Sequence, residues 1–340
     1  MEVKKIAFFE CDQQREKFFQ DHLSGLQLKF FSANLSEQHL PELRDCQIIS
    51  VVNYSPVTRE IVAQLPETKL IAVGCTGYNN VDVAACEEKG ILVSNTPGYS
   101  DDAVAEHTVT LMLMLLRHAH TAHLRAKDNN FSWTSIIGNN LKGKTLGIIG
   151  TGTIGLKVIE IVKGFGVDII AYSRNKKLDK AAELGFRYAP LAEVLASSDI
   201  VSLHITANKD TYHFINQEKV ELFKRASLLI NTSRGEVLDT KALIWALDNG
   251  VIKGAALDVL EEEKLCQENC LLQPDITLEK MGKYALNQHL LHRPEVLITP
   301  HIGWYTEEAI QDMFNIHLAN ILSFIKGIPE NLVTARRSKP

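Results

Sequence analysis

The residues best placed to do chemistry begin at Gly150-Thr151-Gly152-Thr153-Ile154-Gly155. This stretch follows the apolar run TLGII and opens a helical pattern over 154–165, which leads into a second apolar run. In a strand, turn, helix, strand setting each glycine has a task. Gly150 makes the tight turn, Gly152 lets a pyrophosphate approach the backbone, and Gly155 lets the helix meet the sheet. The unpaired N–H groups and the positive end of the helix dipole would then face phosphates. A glycine turn that packs tightly and binds nothing is the alternative; the flanking strands favour a dinucleotide.

A ribose-binding carboxylate is expected about 20 residues after the second glycine, at the end of the strand VDIIAYS. Ser173 stands there instead, with Arg174 beside it and Lys176 and Lys177 close behind. Asp168 lies at the wrong end of that strand, and Asp179 too far along. An acid at this point accepts from the ribose 2′-hydroxyl and repels a 2′-phosphate, whereas a hydroxyl and a guanidinium can both donate to phosphate. The residues therefore favour NADP(H). NAD(H), or use of both, is the alternative if the loop is basic for no reason of recognition.

A nicotinamide exchanges hydride, so the protein must supply a proton donor or acceptor and a group that polarises a carbonyl. Three residues follow strands of the second half: Arg234 in NTSRG, Glu263 closing DVLEEE, and His301 in TPHIG. An arginine fork can grip a carboxylate, a histidine can exchange a proton near neutral pH, and a carboxylate beside it raises its pKa. That set suits interconversion of 2-keto and 2-hydroxy acids. Each residue also has a plainer reading. With twelve histidines in the chain any one is more often structural, Glu261 to Glu263 could be a solvated charge run, and His107 and His204 compete with His301 as the base.

These groups need a scaffold, and the chain supplies one. Short runs rich in β-branched residues, KIAFF, LQLKFF, QIISVV, LIAVGC and ILVSNT, alternate with helical segments. A second series runs from TLGIIG through VDIIAYS, FRYA, DIVSLHI, SLLINTS, GAALDV and EVLITP. This is the βα alternation of mainly parallel sheets, and two series in 340 residues predict two α/β domains. The break falls near Asn95-Thr96-Pro97-Gly98-Tyr99-Ser100. A helix predicted over 102–125 is apolar on nearly every side around Leu111 to Leu116, which places it between domains or in a subunit interface. Another amphipathic helix is predicted over 305–326, and the tail from Thr334 is polar.

Composition excludes several classes. A net charge of -5 offers no basic footprint for nucleic acid, and the apolar run 109–116 falls short of the roughly 18 residues a membrane helix needs. The N-terminal apolar run is too short for a signal-peptide core. The six cysteines form no CxxC pair and no zinc pattern, which fits a cytoplasmic protein with reduced thiols and no metal; only Cys266 and Cys270 could share a helix face.

The chain resembles the D-isomer-specific 2-hydroxyacid dehydrogenases over nearly its whole length, in the style of the D-lactate dehydrogenase and glyoxylate/hydroxypyruvate reductase branches. The matching blocks, in order, are AVGCTGYNNVDVAACEEKGILVSNTPGYSDDAVAEHTV, LKGKTLGIIGTGTIG, LLINTSRGEVLDTKAL, GAALDVLEEE and ITPHIGWYTEEA. The resemblance implies two Rossmann-like domains. One is a discontinuous, flavodoxin-like substrate domain, 1–100 with 302–335; the other is an inserted dinucleotide-binding domain, 101–301. It implies a homodimer built around the long apolar helix, and catalytic roles for Arg234, Glu263 and His301. Thr76 and Gly77 would hold the substrate carboxylate with Tyr99 nearby, Thr153 and Ile154 would contact the pyrophosphate, and Ser173 and Arg174 the adenosine ribose. Ile205, Thr206 and Thr211 would line the adenine side, with Thr232 and Asp258 at the nicotinamide end.

Three departures stand out. Thr206 replaces a frequent proline, the stretch 264–294 is longer than in the simplest members, and Ser173-Arg174 follows a pattern that recurs in NADPH-using reductases of the family. Trp304 and Tyr305 resemble an aromatic pair of D-lactate-type members, which points to a small substrate side chain; packing at the start of the following helix is the alternative. The competing readings are a dinucleotide-sensing binding protein, similar to the corepressors that share the fold, and phosphonate or formate oxidation on a related scaffold.

Overall fold

The computed structural model describes residues 3–266 and 276–334. Cys270 and the tail beyond Thr334 lie outside them. The chain divides into two compact units, Met1–Ser100 with Tyr305–Pro340, and Asp101–Trp304.

In the first unit β1 (Lys5–Phe8), α1 (Gln13–His22), β2 (Gln27–Phe30), α2 (Leu40–Leu43), β3 (Ile48–Val51), α3 (Arg59–Ala63), β4 (Leu70–Val73), α4 (Val83–Glu88) and β5 (Leu92–Ser94) follow one another. The second unit opens with α5 (Asp101–Leu116) and α6 (Ala119–Lys127). It continues through β6 (Thr145–Ile149), α7 (Thr153–Lys163), β7 (Asp168–Tyr172), α8 (Leu178–Leu184), β8 (Arg187–Tyr188), α9 (Leu191–Ser197) and β9 (Ile200–Leu203). It closes with α10 (Gln217–Val220), β10 (Ser227–Asn231), α11 (Thr240–Asp248), β11 (Ile252–Leu257), α12 (Leu278–Leu291) and β12 (Val296–Ile298). The chain then returns to the first unit as α13 (Glu307–Ile325) and β13 (Leu332–Val333).

The first sheet has the order β13-β5-β4-β3-β1-β2, the flavodoxin-like 2-1-3-4-5 order with an antiparallel edge strand added. The second, β12-β11-β10-β9-β6-β7-β8, is parallel and doubly wound about β6 and β9. Strand side chains alternate between two buried faces. Ile6, Phe8, Ile48 and Leu70 enter one core, and Ala7, Phe9, Ile49 and Ile71 the other. Burial on both faces is why these runs read as continuously apolar. In the second sheet Ile148 and Ile230 face one core, and Ile149 and Leu229 the other.

The single helix expected over 102–125 is two helices. His118 is left-handed, with φ of 49°, and the returning chain caps the first helix: the Asn139 N–H donates to the Leu116 carbonyl at 2.9 Å. Gly138 permits that approach, because a Cβ there would lie 3.0 Å from the same carbonyl oxygen. α5 buries Leu111, Met112 and Leu116 in the core beside α7, while Leu113, Met114 and Leu115 are partly buried. Met114 to Leu116, with Lys144, Asp199, Lys253 and Glu295, line a cavity of about 260 Å³. Those strand-leading residues put it at the N-terminal edge of the second sheet, opposite the glycine loop. In the first unit α13 packs on α1, with Phe314 against Phe18 at 5.2 Å between ring centres.

Candidate active site

Gly150 follows β6 with φ of 101°, a conformation that a side chain would strain. A Cβ at Gly150 would lie 2.2 Å from the His204 carbonyl oxygen, and one at Gly155 would lie 2.1 Å from the Gly150 carbonyl oxygen. These two glycines let the turn, the helix and the end of β9 meet at the point where the strand order reverses. Gly152 meets nothing within 4 Å. It is the N-cap of α7 and offers no side-chain cap, so the helix N-terminus at Thr153 and Ile154 keeps donors for an anion. This open cradle at a topological switch point fits a dinucleotide pyrophosphate.

Beyond β7, the Ser173 hydroxyl donates to the Asn175 carbonyl at 3.2 Å. The Arg174 guanidinium lies 3.4 Å from Asp210 Oδ2, both side chains being about two-thirds accessible (65 % and 66 %). Such an exposed pair holds the guanidinium weakly. Ile205 abuts Gly150. The Thr211 hydroxyl donates to the Thr206 carbonyl at 2.6 Å and accepts from the Asn208 N–H at 2.8 Å, so it closes the 206–211 loop.

The other strand ends of this sheet carry the acid–base candidates. Buried Asn231 closes β10 and folds the turn beneath Arg234: its amide donates to the Arg234 carbonyl at 2.9 Å while its oxygen accepts from Ser233. After β11 the turn at Glu263 and the loop at His301 converge. His301 Nδ1 lies 2.7 Å from Glu263 Oε1, with side chains 39 % and 41 % accessible. The hydrogen bond to Glu263 raises the His301 pKa. Burial opposes that rise, the charges of Glu263 and Asp258 add to it, and Arg234 lies near enough to oppose it. With Nδ1 engaged, Nε2 is the ring nitrogen left for proton exchange with a substrate.

Two left-handed residues frame this pair, Glu262 with φ of 49° and His301 with φ of 54°. Each costs of order 1 kcal/mol or more and persists only where its surroundings over-determine it. For His301 the surroundings are Asp258. Its backbone carbonyl accepts from the His301 N–H at 2.9 Å; Oδ1 accepts from the Thr299 hydroxyl at 2.6 Å and the Ile302 N–H at 3.0 Å, and Oδ2 from the Gly303 N–H at 2.9 Å. Burial pushes the Asp258 pKa up, but the bonds from His107, Thr299 and Gly303 outweigh it and hold the group ionised below its ordinary range. His107 lies 3.3 Å from the same carboxylate, which gives it a place in the support of this loop. His204, the other competing base, is pushed down to about 4 by burial, too low for proton exchange near neutrality. Thr232 pairs with Thr108 at 2.7 Å, and because the Thr108 proton goes to Val104, Thr232 is the donor.

In the first unit, Thr76 and Gly77 follow β4. The Thr76 hydroxyl donates to the Thr96 carbonyl at 3.0 Å, and the Asn95 amide donates to the Thr76 carbonyl at 2.8 Å. Among the described residues no hydrogen bond takes up the backbone N–H of Thr76 or Gly77. Tyr99 packs against the core of the same unit.

Comparison with known proteins assigns the chain a family. The family model for the D-isomer specific 2-hydroxyacid dehydrogenase NAD binding domain matches residues 109–303, a span that holds the glycine loop, Arg234, Glu263 and His301. A 2-hydroxyacid dehydrogenase homolog of Haemophilus influenzae is 34 % identical over 97 % of this chain and 99 % of its own length. The chain belongs to the D-isomer specific 2-hydroxyacid dehydrogenase family. The D-lactate dehydrogenase of Escherichia coli is 32 % identical over 97 % of this chain and all of its own. Among solved structures, D-lactate dehydrogenase from Aquifex aeolicus, complexed with NAD and lactic acid, superposes with a TM-score of 0.87 at 35 % identity, covering 96 % of this chain and 98 % of that one. As a member of this family the protein is an oxidoreductase of CH–OH donors that uses a nicotinamide dinucleotide.

Some parts of this dehydrogenase's site are not apparent in the sequence. The Tyr188 hydroxyl lies 2.7 Å from the Thr151 hydroxyl and accepts from the Lys177 N–H at 3.0 Å, joining the glycine loop to the loop after β7. A tyrosine ending a two-residue strand gives no hint of this. Buried Glu261 belongs to no solvated run. The thiols of Cys11 and Cys46 are pushed up to about 11, and that of Cys86 to about 12, by burial, which removes them as nucleophiles. Among the described residues no group of His, Cys, Asp and Glu could hold a metal ion, and no helix is long and apolar enough to cross a membrane.

Proposed function

We propose that the enzyme reduces small 2-keto acids to the D-2-hydroxy acids and prefers NADP(H) to NAD(H). The observation that carries the reading is the 2.7 Å contact between His301 and Glu263 with the charge of Arg234 close by. Gly150, Gly152, Thr153, Ile154 and Gly155 would hold the pyrophosphate, and Ser173 and Arg174 the 2′-phosphorylated ribose. Ile205, Thr206 and Thr211 would face the adenine, with Thr232 and Asp258 at the nicotinamide end. When bound, the nicotinamide supplies the hydride.

The protein's own part is proton transfer and orientation. His301 donates Nδ1–H to Glu263 and hands its Nε2 proton to the substrate oxygen as the carbonyl is reduced. Arg234 grips the carboxylate and polarises the carbonyl, and Thr76, Gly77 and Tyr99 are assigned to substrate binding. The enzyme is further proposed to be a cytoplasmic homodimer, whose partner copy covers the exposed Phe131, Trp133 and Ile137.

The test is to follow oxidation of NADPH and of NADH with glyoxylate, hydroxypyruvate, pyruvate and longer 2-keto acids. Turnover of a small 2-keto acid with NADPH is expected. Turnover with NADH alone would overturn the 2′-phosphate assignment, and no oxidation across the panel would overturn the reductase.

A further inference from the structure

The proton-transfer pair leaves unused a buried carboxylate two residues before Glu263. Glu261 is 5 % accessible. Its Oε1 accepts from His213 Nε2 at 2.9 Å and lies 3.4 Å from the Lys283 ammonium, and its Oε2 accepts from the Thr240 hydroxyl at 3.1 Å. A charge at this depth is costly unless paired and hydrogen-bonded. Here its partners come from three separate elements: the loop after β9, the start of α11, and α12.

α12 also holds the backbone of the same turn. Asn287, fully buried, donates its amide to the Glu261 carbonyl at 2.8 Å and to Cys266 Sγ at 3.7 Å. The two ends of the turn that carries Glu263 are thus joined through one side chain. On the other side, a Cβ at Gly235 would lie 2.1 Å from the Leu260 carbonyl carbon and 2.5 Å from the Glu261 nitrogen. The residue after Arg234 therefore abuts the peptide that leads into Glu261. Glu261 is in backbone contact with the residue beside Arg234 and lies two residues from Glu263.

We infer that Glu261 is a positioning residue for the Glu263–His301 pair, and that α12, through Lys283 and Asn287, is the brace that keeps it in place. This assigns a task to α12, the described helix of the longer stretch between β11 and β12. The inference rests on the proposed acid–base role of His301. The titratable groups facing Glu261 are Tyr212 and His213 from the loop after β9 and Lys283 from α12, with Asp239 beside His213 and Glu262 and Glu279 beside Lys283. Those facing His301 are Glu263, Asp258 and Arg234.

The experiment compares Glu261→Gln, Asn287→Ala and Lys283→Met with Glu263→Gln in the full-length enzyme. It records kcat/KM against pH for keto-acid reduction, dinucleotide Kd by fluorescence, and Tm. In Glu263→Gln the alkaline limb should move to lower pH by roughly one unit or more, the effect of losing one opposite charge at hydrogen-bond range. Glu261→Gln and Asn287→Ala should move it the same way by a smaller amount. Their kcat should fall about tenfold or more, because small misplacements of reacting groups are costly, while Kd stays put. Lys283→Met should follow with a lesser shift, and it decides the matter with Asn287→Ala if Glu261→Gln does not fold. A lowered Tm with the limb unmoved in these variants would make the cluster merely structural. If Glu263→Gln also left the limb in place, the acid–base reading would fall and the positioning role with it.

Discussion

His301 carries the pH dependence that this site should show. Its hydrogen bond to Glu263 raises the imidazole pKa, so the protonated form that reduction needs is present below that value and lost as pH rises through it. Oxidation of the hydroxy acid needs the neutral ring and should gain over the same interval. On the proposed mechanism, replacement by alanine removes the proton donor altogether, and His301→Ala should lose about 10² to 10⁴ in kcat, the usual share of general acid catalysis. A single-turnover rate near wild type would take His301 out of the role. At the other end of the proposed cofactor site, the guanidinium of Arg174 is held by an exposed contact with Asp210. A charge-assisted bond to a 2′-phosphate contributes about 1.5–3 kcal/mol, so Arg174→Ala should raise KM for NADPH about tenfold or more and leave KM for NADH nearly unchanged. Asp210→Asn removes a negative charge beside that guanidinium and should lower KM for NADPH. Equal effects on the two cofactors would show that neither residue reads the 2′ position.

Loops at the end of the first sheet are held by a similar economy of charge. Glu10, left-handed with φ of 55°, accepts at Oε1 from the N–H groups of Val52 at 3.1 Å and Ser55 at 2.9 Å, and at Oε2 from those of Asn53 and Tyr54, both at 2.9 Å. Burial pushes its pKa up, but these hydrogen bonds prevail and the net shift is downward. The 52–55 loop is in turn tied to the Thr76 loop by Asn80, whose amide donates to the Ser55 carbonyl at 2.8 Å and the Val52 carbonyl at 3.2 Å. Glu10→Gln should therefore cost about 1.5–3 kcal/mol at neutral pH, the worth of a hydrogen bond to a charged group. Because the folded pKa is depressed, this stability is present above the unfolded carboxylate value and lost as pH falls through the folded one, so chemical denaturation curves of the two proteins should converge in acid. A gap that persists at low pH would assign the effect to packing.

The contrast with the glycine loop shows what the sequence could carry. Strand runs, GTGTIG and the absence of an acid at Ser173 are local patterns of period and spacing, legible one element at a time. The break at His118 depends on Gly138 and Asn139 returning to cap Leu116. The burial of Glu261 depends on His213 and Lys283 arriving from either side. Within EEE the three glutamates look alike, and only long-range partners separate the buried one from its accessible neighbours.

At the scale of the whole molecule, one surface stretch exposes three large apolar side chains. Phe131, Trp133 and Ile137, between α6 and β6, are 81 %, 84 % and 86 % accessible. Soluble monomers rarely expose several large apolar side chains together, and such patches mark interaction sites. The same unit contains the cavity lined by Met114, Leu115 and Leu116, at the sheet edge opposite the glycine loop and thus free of the chemistry. A projection of large apolar side chains and a recess of mixed lining, apolar at Met114 to Leu116 and Leu228 and charged at Lys144, Asp199, Lys253 and Glu295, lie on one unit, and two copies related by a two-fold axis can exchange them, each giving the projection and receiving it. The wild type should therefore sediment as a dimer, and a chain carrying Phe131→Asp and Trp133→Asp should sediment as a monomer with its two cores intact by circular dichroism. Mass action adds a second readout. If folding and association are linked, the Tm of the wild type rises with protein concentration, whereas that of the double variant does not. A wild type that sediments as a monomer, with a Tm independent of concentration, would leave the patch to some other partner and overturn the dimer.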